Sequence, residues 1–154
     1  MPKVYMLVGV PGSGKSTWVA NQDWAKDMPV VSSDRFIEEH AKQAGLTYND
    51  VFKDYVKIAT KLMENQVAIC QANNMDFIWD QTNTSVKSRK GKLATISGYE
   101  CIAVMFRTPE DEELARRLAN RPGKAIPDAV ISFMKDTLEE PTEEEGFTEI
   151  WYVQ

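Results

Sequence analysis

The chain has 154 residues, of which 43% are hydrophobic and 27% charged, values ordinary for a single globular domain with its own core. We therefore expect one domain over 1–154, without an internal linker. No apolar run approaches the roughly 20 residues of a membrane helix, so we expect no membrane insertion. The formal net charge of −5 argues against a protein that grips long stretches of nucleic acid, because such proteins neutralise many phosphates.

The cysteines and the single histidine give no sign of a metal site or a disulfide framework. Cys70 and Cys101 each stand in an apolar setting, with no second cysteine or histidine at metal-ligand spacing. We expect both to be reduced core residues. His40 stands in a charged helical stretch and is expected at the surface. The acidic run Glu139–Gly146 is interpreted as a solvated connector rather than a regulatory or partner-binding segment.

Short apolar runs alternate with helical stretches along the chain, which is typical of parallel βαβ units. In chain order, strands are predicted at Val4–Val8, Val30–Ser32, Phe77–Trp79, Ile102–Phe106 and Ile150–Val153. Helices are predicted at Ser16–Lys26, Asp34–Ala44, Ser85–Ile96, Asp111–Asn120 and Pro127–Glu139, together with one longer helix between the second and third strands.

The longer helix opens at Thr47-Tyr48-Asn49, where Thr47 or Asn49 can cap its N-terminus. Its apolar residues recur at spacings near three and four, which predicts a helix that covers one face of the sheet. These residues are Val51, Tyr55, Ile58, Leu62, Val67 and Ile69.

The first predicted strand runs directly into the sequence G-V-P-G-S-G-K-S-T at Gly9–Thr17. A strand, this glycine-rich turn and a following helix are the setting of a phosphate-binding P-loop. Lys15 can reach the β- and γ-phosphates, and Ser16 can offer its hydroxyl to Mg²⁺. The alternative is a glycine-rich turn that binds nothing. We expect ATP and Mg²⁺ as cofactors, with a nucleotide site at Gly9, Pro11, Gly12, Ser13, Gly14, Lys15, Ser16 and Thr17.

Polar residues follow the second and third predicted strands, and the carboxyl ends of parallel strands meet at one edge of a sheet. Asp34, after the second strand, is a candidate general base for the proton of an acceptor alcohol; the alternative is a helix cap. Asp80, after the third strand, is a candidate to hold Mg²⁺ beside Ser16. Thr82 and Asn83 could bind the phosphates or the acceptor. The alternative for this second group is an ordinary turn.

Basic residues and turn residues are interleaved between Arg116 and Pro127, which indicates a lid at about 114–127. Arg117 and Arg121 are four residues apart, so on a helix they share a face and could close over the polyphosphate, with Arg121 also binding the nucleotide. Pro122-Gly123 would then be the hinge. A solvated basic helix end is the alternative. With the P-loop, these features predict an α/β fold of the P-loop NTPase and kinase type, a three-layer sandwich with a four- to five-stranded parallel sheet and a helical lid.

Four motifs resemble, in their order and spacing, the kinase domain of phage-type 5′-polynucleotide kinases: G-V-P-G-S-G-K-S-T-W, S-S-D, D-Q-T-N and R-x-x-x-R-x-G-K-A-I-P. The resemblance spans nearly the whole chain. It implies transfer of the ATP γ-phosphate to a 5′-hydroxyl end of DNA or RNA, with Mg²⁺, on a parallel sheet of four strands. The matching site residues are Lys15 and Ser16 in the P-loop, Asp34 as general base, Asp80 as second acid, and Arg117 and Arg121 in the lid.

The chain departs from that family at two points. In the best-known members an arginine three positions beyond the general base clamps the phosphate on the 3′ side of the accepting nucleotide, and here that position is Ile37. Arg35 or Arg89 could supply the charge in its place, or the acceptor could lack that phosphate. No Asp-x-Asp phosphatase motif is present, so kinase activity alone is expected.

The expected partner is single-stranded or end-exposed DNA or RNA with a free 5′-hydroxyl. The sequence leaves the oligomeric state undecided, with a homo-oligomer as one alternative. Two further readings remain: a P-loop kinase of a small alcohol, nucleoside or nucleotide, and an ATP-binding switch that transfers nothing. The chain passes from Met-Pro-Lys straight into a predicted strand, so we expect no targeting segment and a cytoplasmic location, in the host cytoplasm if the chain is phage-encoded.

Overall fold

The computed structural model describes residues 1–154 and contains one parallel sheet of five strands in the order β2-β3-β1-β4-β5. The strands are β1 Lys3–Val8, β2 Val30–Val31, β3 Phe77–Trp79, β4 Glu100–Phe106 and β5 Glu149–Val153. Helices pack on both faces of the sheet. The predicted α/β three-layer sandwich is therefore confirmed, with the larger of the two expected strand numbers.

Six α-helices connect and cover the strands: α1 Lys15–Ala20, α2 Ser33–Ala44, α3 Tyr48–Ala72, α4 Val86–Leu93, α5 Asp111–Ala119 and α6 Asp128–Thr137. A membrane-spanning helix is not found among them. The first helix is shorter than predicted because Gln22 takes an extended conformation, after which a short 3₁₀ turn covers Asp23–Ala25. That turn brings the Trp24 ring to 4.7 Å from Tyr5 and 6.0 Å from Trp18.

Side chains of β1 and its neighbours alternate between two cores, as the two-residue repeat of a strand requires. Met6, Phe77 and Trp79 pack on the face that α3 and α4 cover. Tyr5 and Leu7 pack on the opposite face, against the aromatic side chains near α1. Both predicted core cysteines, Cys70 and Cys101, are buried and form no disulfide.

The face that α3 buries is only partly the predicted one. Thr47 caps the helix as expected, with Asp50 completing a capping box. Val51 and Val67 are buried, but Ile58 and Ile69 are 51% and 60% exposed. The rest of the buried stripe is made by Ala59, Met63 and Cys70, which are smaller or more flexible than isoleucine.

A buried ion pair ties α4 to the acidic segment 139–146. Arg89 is fully buried, and its Nε donates to Glu145 Oε1 at 2.7 Å. Its remaining N–H groups donate to the backbone oxygens of Asn83 and Glu140 and to Glu145 Oε2. The prediction that the whole acidic run is a solvated connector is therefore wrong for Glu145, which is the counter-ion of a core arginine.

Candidate active site

The P-loop joins β1 to α1 and forms one end of a cleft of about 840 Å³ at the carboxyl edge of the sheet. Gly12 and Gly14 have φ of +84° and +94°, values that a residue with a side chain rarely adopts. A Cβ at Gly12 would also lie 2.9 Å from the Leu114 side chain. The Gly9 N–H donates to Thr82 O at 2.9 Å, which fixes the P-loop against the segment after β3.

Most of the predicted nucleotide site faces this cleft. Gly9 and Ser13 lie in the interior beneath the turn, and Ser13 Oγ has no hydrogen-bond partner there. The predicted residues that line the cleft are Pro11, Gly12, Gly14, Lys15, Ser16 and Thr17.

Lys15 turns back onto the P-loop, where its Nζ donates to Gly9 O at 2.8 Å and to Val10 O at 3.0 Å. Burial lowers the pKa of Lys15 to about 8, although the Asp80 carboxylate acts in the opposite direction. The ammonium group is thus poorly solvated and has only neutral acceptors. A polyphosphate oxygen in the cleft would be a better partner than a backbone carbonyl.

Asp34 lies in the first turn of α2 and lines the same cleft. Ser32, not Asp34, occupies the N-cap position of this helix, so the capping alternative does not describe Asp34. Its Oδ1 accepts a hydrogen bond from the Tyr48 hydroxyl at 2.6 Å, and Lys124 Nζ is 3.4 Å from Oδ2. About half of the Asp34 side chain stays exposed, which leaves the carboxylate free to meet an acceptor.

Asp80 follows β3 and lines the cleft close to Lys15. Burial raises the pKa of Asp80, while the charges of Lys15 and Arg35 act to lower it. No group of three or more His, Cys, Asp or Glu side chains could hold a metal ion alone. Mg²⁺ is usually held by one or two carboxylates together with substrate phosphates, so Asp80 and the exposed Ser16 hydroxyl fit that donor set.

The two lid arginines do not share a helical face, because α5 ends at Ala119 and Arg121 lies beyond it. Arg117 Nη1 donates to Gly12 O at 3.0 Å, and its Nε donates to Glu113. Arg121 lines the cleft, and its Nη1 is buried without a partner. The predicted lid at 114–127 is thus the end of α5 followed by a loop rather than a continuous helix.

Two residues predicted to bind substrate are not in the cleft. Arg89 is fully buried in its ion pair with Glu145, so the prediction that it contacts the acceptor is wrong. Asn83 is 2% exposed with φ of +50°, and its amide donates to Leu7 O at 2.8 Å. It is a structural residue of the loop.

Arg35 and Thr82, in contrast, line the cleft. Arg35 is exposed and close enough to Asp80 to affect its pKa. Ile37 is fully buried among the residues that join α2 to α3. The position of the family's arginine therefore faces the core in this chain.

Sequence reasoning missed three residues around Asp34: Tyr48, Lys124 and Glu38. Lys124 Nζ lies 2.7 Å from Glu38 Oε1 and 4.7 Å from the centre of the Tyr48 ring. These contacts join α2, α3 and the loop after α5. Lys124 belongs to the G-K-A-I-P stretch of the lid motif, which was the one sequence signal that could have found it.

Comparison with known proteins gives a family and several relatives. A family model described as an AAA domain, AAA_33, matches residues 4–141. Heterogeneous nuclear ribonucleoprotein U-like protein 2 of Mus musculus is 26% identical over 162 residues, covering 97% of this chain and 21% of that protein. The bifunctional polynucleotide phosphatase/kinase of Schizosaccharomyces pombe is 26% identical over 153 residues, covering 96% of this chain and 32% of that protein. The chain therefore spans about a fifth to a third of the length of these relatives.

One solved structure of similar shape comes from the Pnkp1/Rnl/Hen1 RNA repair complex. The matched chain is 27% identical, with a TM-score of 0.67, and the match covers 90% of this chain and 46% of that one. Together with the Schizosaccharomyces pombe match, this similarity confirms the resemblance to polynucleotide kinases that the four motifs predict.

Proposed function

The chain belongs to the AAA_33 family of AAA domains, and on that premise we propose that it transfers the γ-phosphate of ATP to the 5′-hydroxyl end of DNA or RNA. Its fold is that of a P-loop kinase. One observation carries the proposal: a single cleft joins a P-loop and its lysine to a half-exposed carboxylate, Asp34. The choice of a nucleic-acid acceptor is supported by the two similar proteins named for polynucleotide kinase and RNA repair.

In this reaction Asp34 is the general base. It accepts the proton of the 5′-hydroxyl while that oxygen bonds to the γ-phosphorus and the bond from the γ-phosphorus to the β-bridging oxygen breaks, so that ADP leaves. Lys15 binds the β- and γ-phosphates. Arg117 and Arg121 neutralise charge on the transferring group, and the unpartnered Nη1 of Arg121 is suited to that role.

ATP and Mg²⁺ are the proposed cofactors. Ser16 and Asp80 would hold the metal, whose charge offsets that of the phosphates. The P-loop amides and Lys15 orient the phosphates in this proposal, and Thr82, which lines the same cleft, is a further hydrogen-bonding group for them. Arg35 is the proposed contact for the acceptor phosphate, since Arg89 is buried and Ile37 faces the core.

The test is to mix the purified protein with Mg²⁺, γ-labelled ATP and oligonucleotides of DNA and RNA that carry a 5′-hydroxyl. We expect label at the 5′ end, and none on matched oligonucleotides that already carry a 5′-phosphate. Asp34→Asn should abolish transfer and leave ATP binding unchanged. Asp54→Asn, an exposed position on α3 outside the cleft, is the matched control and should transfer at the wild-type rate.

The acceptor contact has its own variant. Arg35→Ala should raise KM for the oligonucleotide with little change in KM for ATP, whereas Arg107→Ala, an exposed arginine outside the cleft, should change neither. Transfer to small alcohols, nucleosides or nucleotides but not to oligonucleotide ends would contradict the proposal in favour of a small-molecule kinase. ATP binding without transfer to any acceptor would favour a non-catalytic switch.

A further inference from the structure

The carboxylate of Asp34 is held from two directions by groups outside its own helix. The Tyr48 hydroxyl donates to Oδ1 at 2.6 Å, and Lys124 Nζ is 3.4 Å from Oδ2. Lys124 also pairs with Glu38 at 2.7 Å and lies over the Tyr48 ring. Burial and the Asp34 carboxylate raise the pKa of Tyr48, so its hydroxyl stays a donor throughout the working range of pH.

The loop that carries Lys124 is fastened to the beginning of α3. We call residues Thr47–Asn49 the cap turn. The Asn49 N–H donates to Gly123 O at 2.9 Å, and the Asn49 side chain both donates to Ala125 O at 2.9 Å and accepts from the Ala125 N–H. A Cβ on Gly123 would lie 2.7 Å from the Thr47 side chain, so the loop is in close contact with the cap turn.

The three consecutive residues of the cap turn therefore contact two different parts of the site. Thr47 packs against the lid loop and Asn49 forms hydrogen bonds with it, while Tyr48, between them, donates to Asp34. If the lid loop leaves, the cap turn loses three hydrogen bonds to that loop, and Asp34 loses Lys124. A carboxylate that must meet an alcohol oxygen in one geometry is sensitive to such a change, because a misplacement of about 1 Å can cost about 100-fold in rate.

We propose that the cap turn couples lid docking to the orientation of the general base, with Tyr48 as the positioning residue for Asp34. This inference rests on the proposed function only in naming Asp34 as the base. Tyr48 need not touch the acceptor. It acts through Asp34, and the docked lid supplies the second contact, Lys124, to the same carboxylate.

The experiment compares Tyr48→Phe with Tyr55→Phe. Tyr48→Phe keeps the ring under Lys124 and removes only the hydroxyl. Tyr55→Phe removes a hydroxyl from the same helix, where the ring stacks on His40 outside the cleft. We expect kcat to fall by about 10- to 100-fold in Tyr48→Phe, with KM for ATP and the melting temperature matching those of Tyr55→Phe.

The coupling is tested with Asn49→Ala, which removes the side-chain bonds to the lid loop and leaves the Thr47 cap in place. We expect it also to lower kcat, and we expect the double variant with Tyr48→Phe to lose less than the product of the two single losses. Independent, multiplicative losses would overturn the coupling. Wild-type kcat in Tyr48→Phe would overturn the positioning role.

A second readout, hydrolysis of ATP in the absence of any acceptor alcohol, separates this inference from the proposed function. If the wild type labels no oligonucleotide end, yet Tyr48→Phe slows hydrolysis relative to Tyr55→Phe, the proposed acceptor is wrong and the positioning role stands. If wild type and Tyr48→Phe hydrolyse and transfer at the same rates, the positioning role fails whatever the acceptor. A wild-type protein that neither transfers nor hydrolyses overturns both.

Discussion

Lys15 keeps its positive charge where water solvates it poorly, so its protonation depends on what lies in the cleft. Burial lowers its pKa to about 8 from the ordinary lysine value of 10.5. A bound polyphosphate would raise that pKa, because negative charge beside the ammonium group favours its protonated form. Nucleotide binding should therefore take up a proton at alkaline pH.

We predict that ATP affinity falls as pH rises above about 8, by up to about tenfold per pH unit. Isothermal titration between pH 7 and pH 9.5 would measure it. Lys15→Arg, which stays charged, should bind ATP without this dependence.

Without nucleotide, the unfolded chain binds more protons at Lys15 than the folded one between about pH 8 and 10.5, so this residue should make the free energy of unfolding rise across that window.

Arg89 and Glu145 form a pair in which each charge is buried by the fold and depends on the other. Breaking such a pair typically costs about 3–5 kcal/mol, because the remaining charge stays in the interior without a counter-ion. We predict a loss of this size in the free energy of unfolding for Glu145→Ala, measured by urea denaturation. Glu144→Ala, which removes the exposed neighbouring carboxylate, should be close to neutral.

The same pair should influence stability in acid. Burial acts to raise the pKa of Glu145, but the hydrogen bonds from Arg89 and Thr142 outweigh it and lower the pKa below the ordinary 4.5. Its contribution is therefore present above about pH 4.5 and lost as pH falls through the lower, folded value. A Glu145→Ala protein should lose less additional stability between pH 5 and pH 3 than the wild type.

Individual site residues could be predicted from the sequence where a local motif defines their role. The P-loop is one continuous stretch, so Lys15 and Ser16 could be assigned from spacing alone. Tyr48 and Lys124 reach Asp34 across 14 and 90 residues, and Arg89 reaches Glu145 across 56. The spacing of these residues in the sequence does not indicate that they are in contact. A buried arginine also cannot be distinguished by sequence pattern from an arginine on the surface.

Among the connections between elements, the lid loop lies close to the cap turn at Gly123. Gly123 has φ of +71°, and an added Cβ would collide with Thr47 at 2.7 Å. Gly45 has nearly the same φ, +69°, but no atom lies within 4 Å of its would-be Cβ. The two glycines therefore separate backbone strain from contact with the cap turn.

We predict that Gly123→Ala lowers kcat about 10-fold or more, because the lid loop must move off the cap turn and carry Lys124 with it. Gly45→Ala should cost about 1–2 kcal/mol of stability from its left-handed backbone and leave kcat unchanged. Steady-state kinetics and thermal denaturation of both variants would measure the two effects. Equal kinetics in the two proteins would contradict a docked lid.

Helix positions were predictable because caps and strand-edge motifs are local, but helix faces were less so. In α3 the pattern of large apolar residues suggested that Ile58 and Ile69 are buried, and both are exposed. The helix instead packs through Ala59 against α2 and through Met63 and Cys70 against the sheet. The end of α5, in contrast, was predicted to within one residue, at Asn120, and that boundary already placed Arg121 beyond the helix.

For the whole molecule, the net charge of −5 limits how a nucleic acid can be held. The cleft is lined by cations of the P-loop and the lid and by Arg35 and Lys42, but also by the carboxylates of Asp34, Glu38, Glu39 and Asp80. We predict a shallow salt dependence for oligonucleotide kcat/KM, with a log–log slope between about −0.7 and −1.4, as one or two phosphate contacts on a single strand would give. Rates measured from 50 to 300 mM KCl would test it. A slope steeper than about −3 would indicate a longer binding track than the cleft provides.

The ion pair between α4 and the acidic segment also bears on where this unit of structure can be cut or joined to other sequences. The family match ends at residue 141, four residues before Glu145 and six before the buried Phe147, and β5 lies later still. A fragment trimmed to the matched span would leave the buried charge of Arg89 without its counter-ion Glu145, and it would expose the edge of β4 that pairs with β5. The span of the family model therefore ends before the last residues that the packing requires, and a fusion or excised domain should retain the chain through Val153.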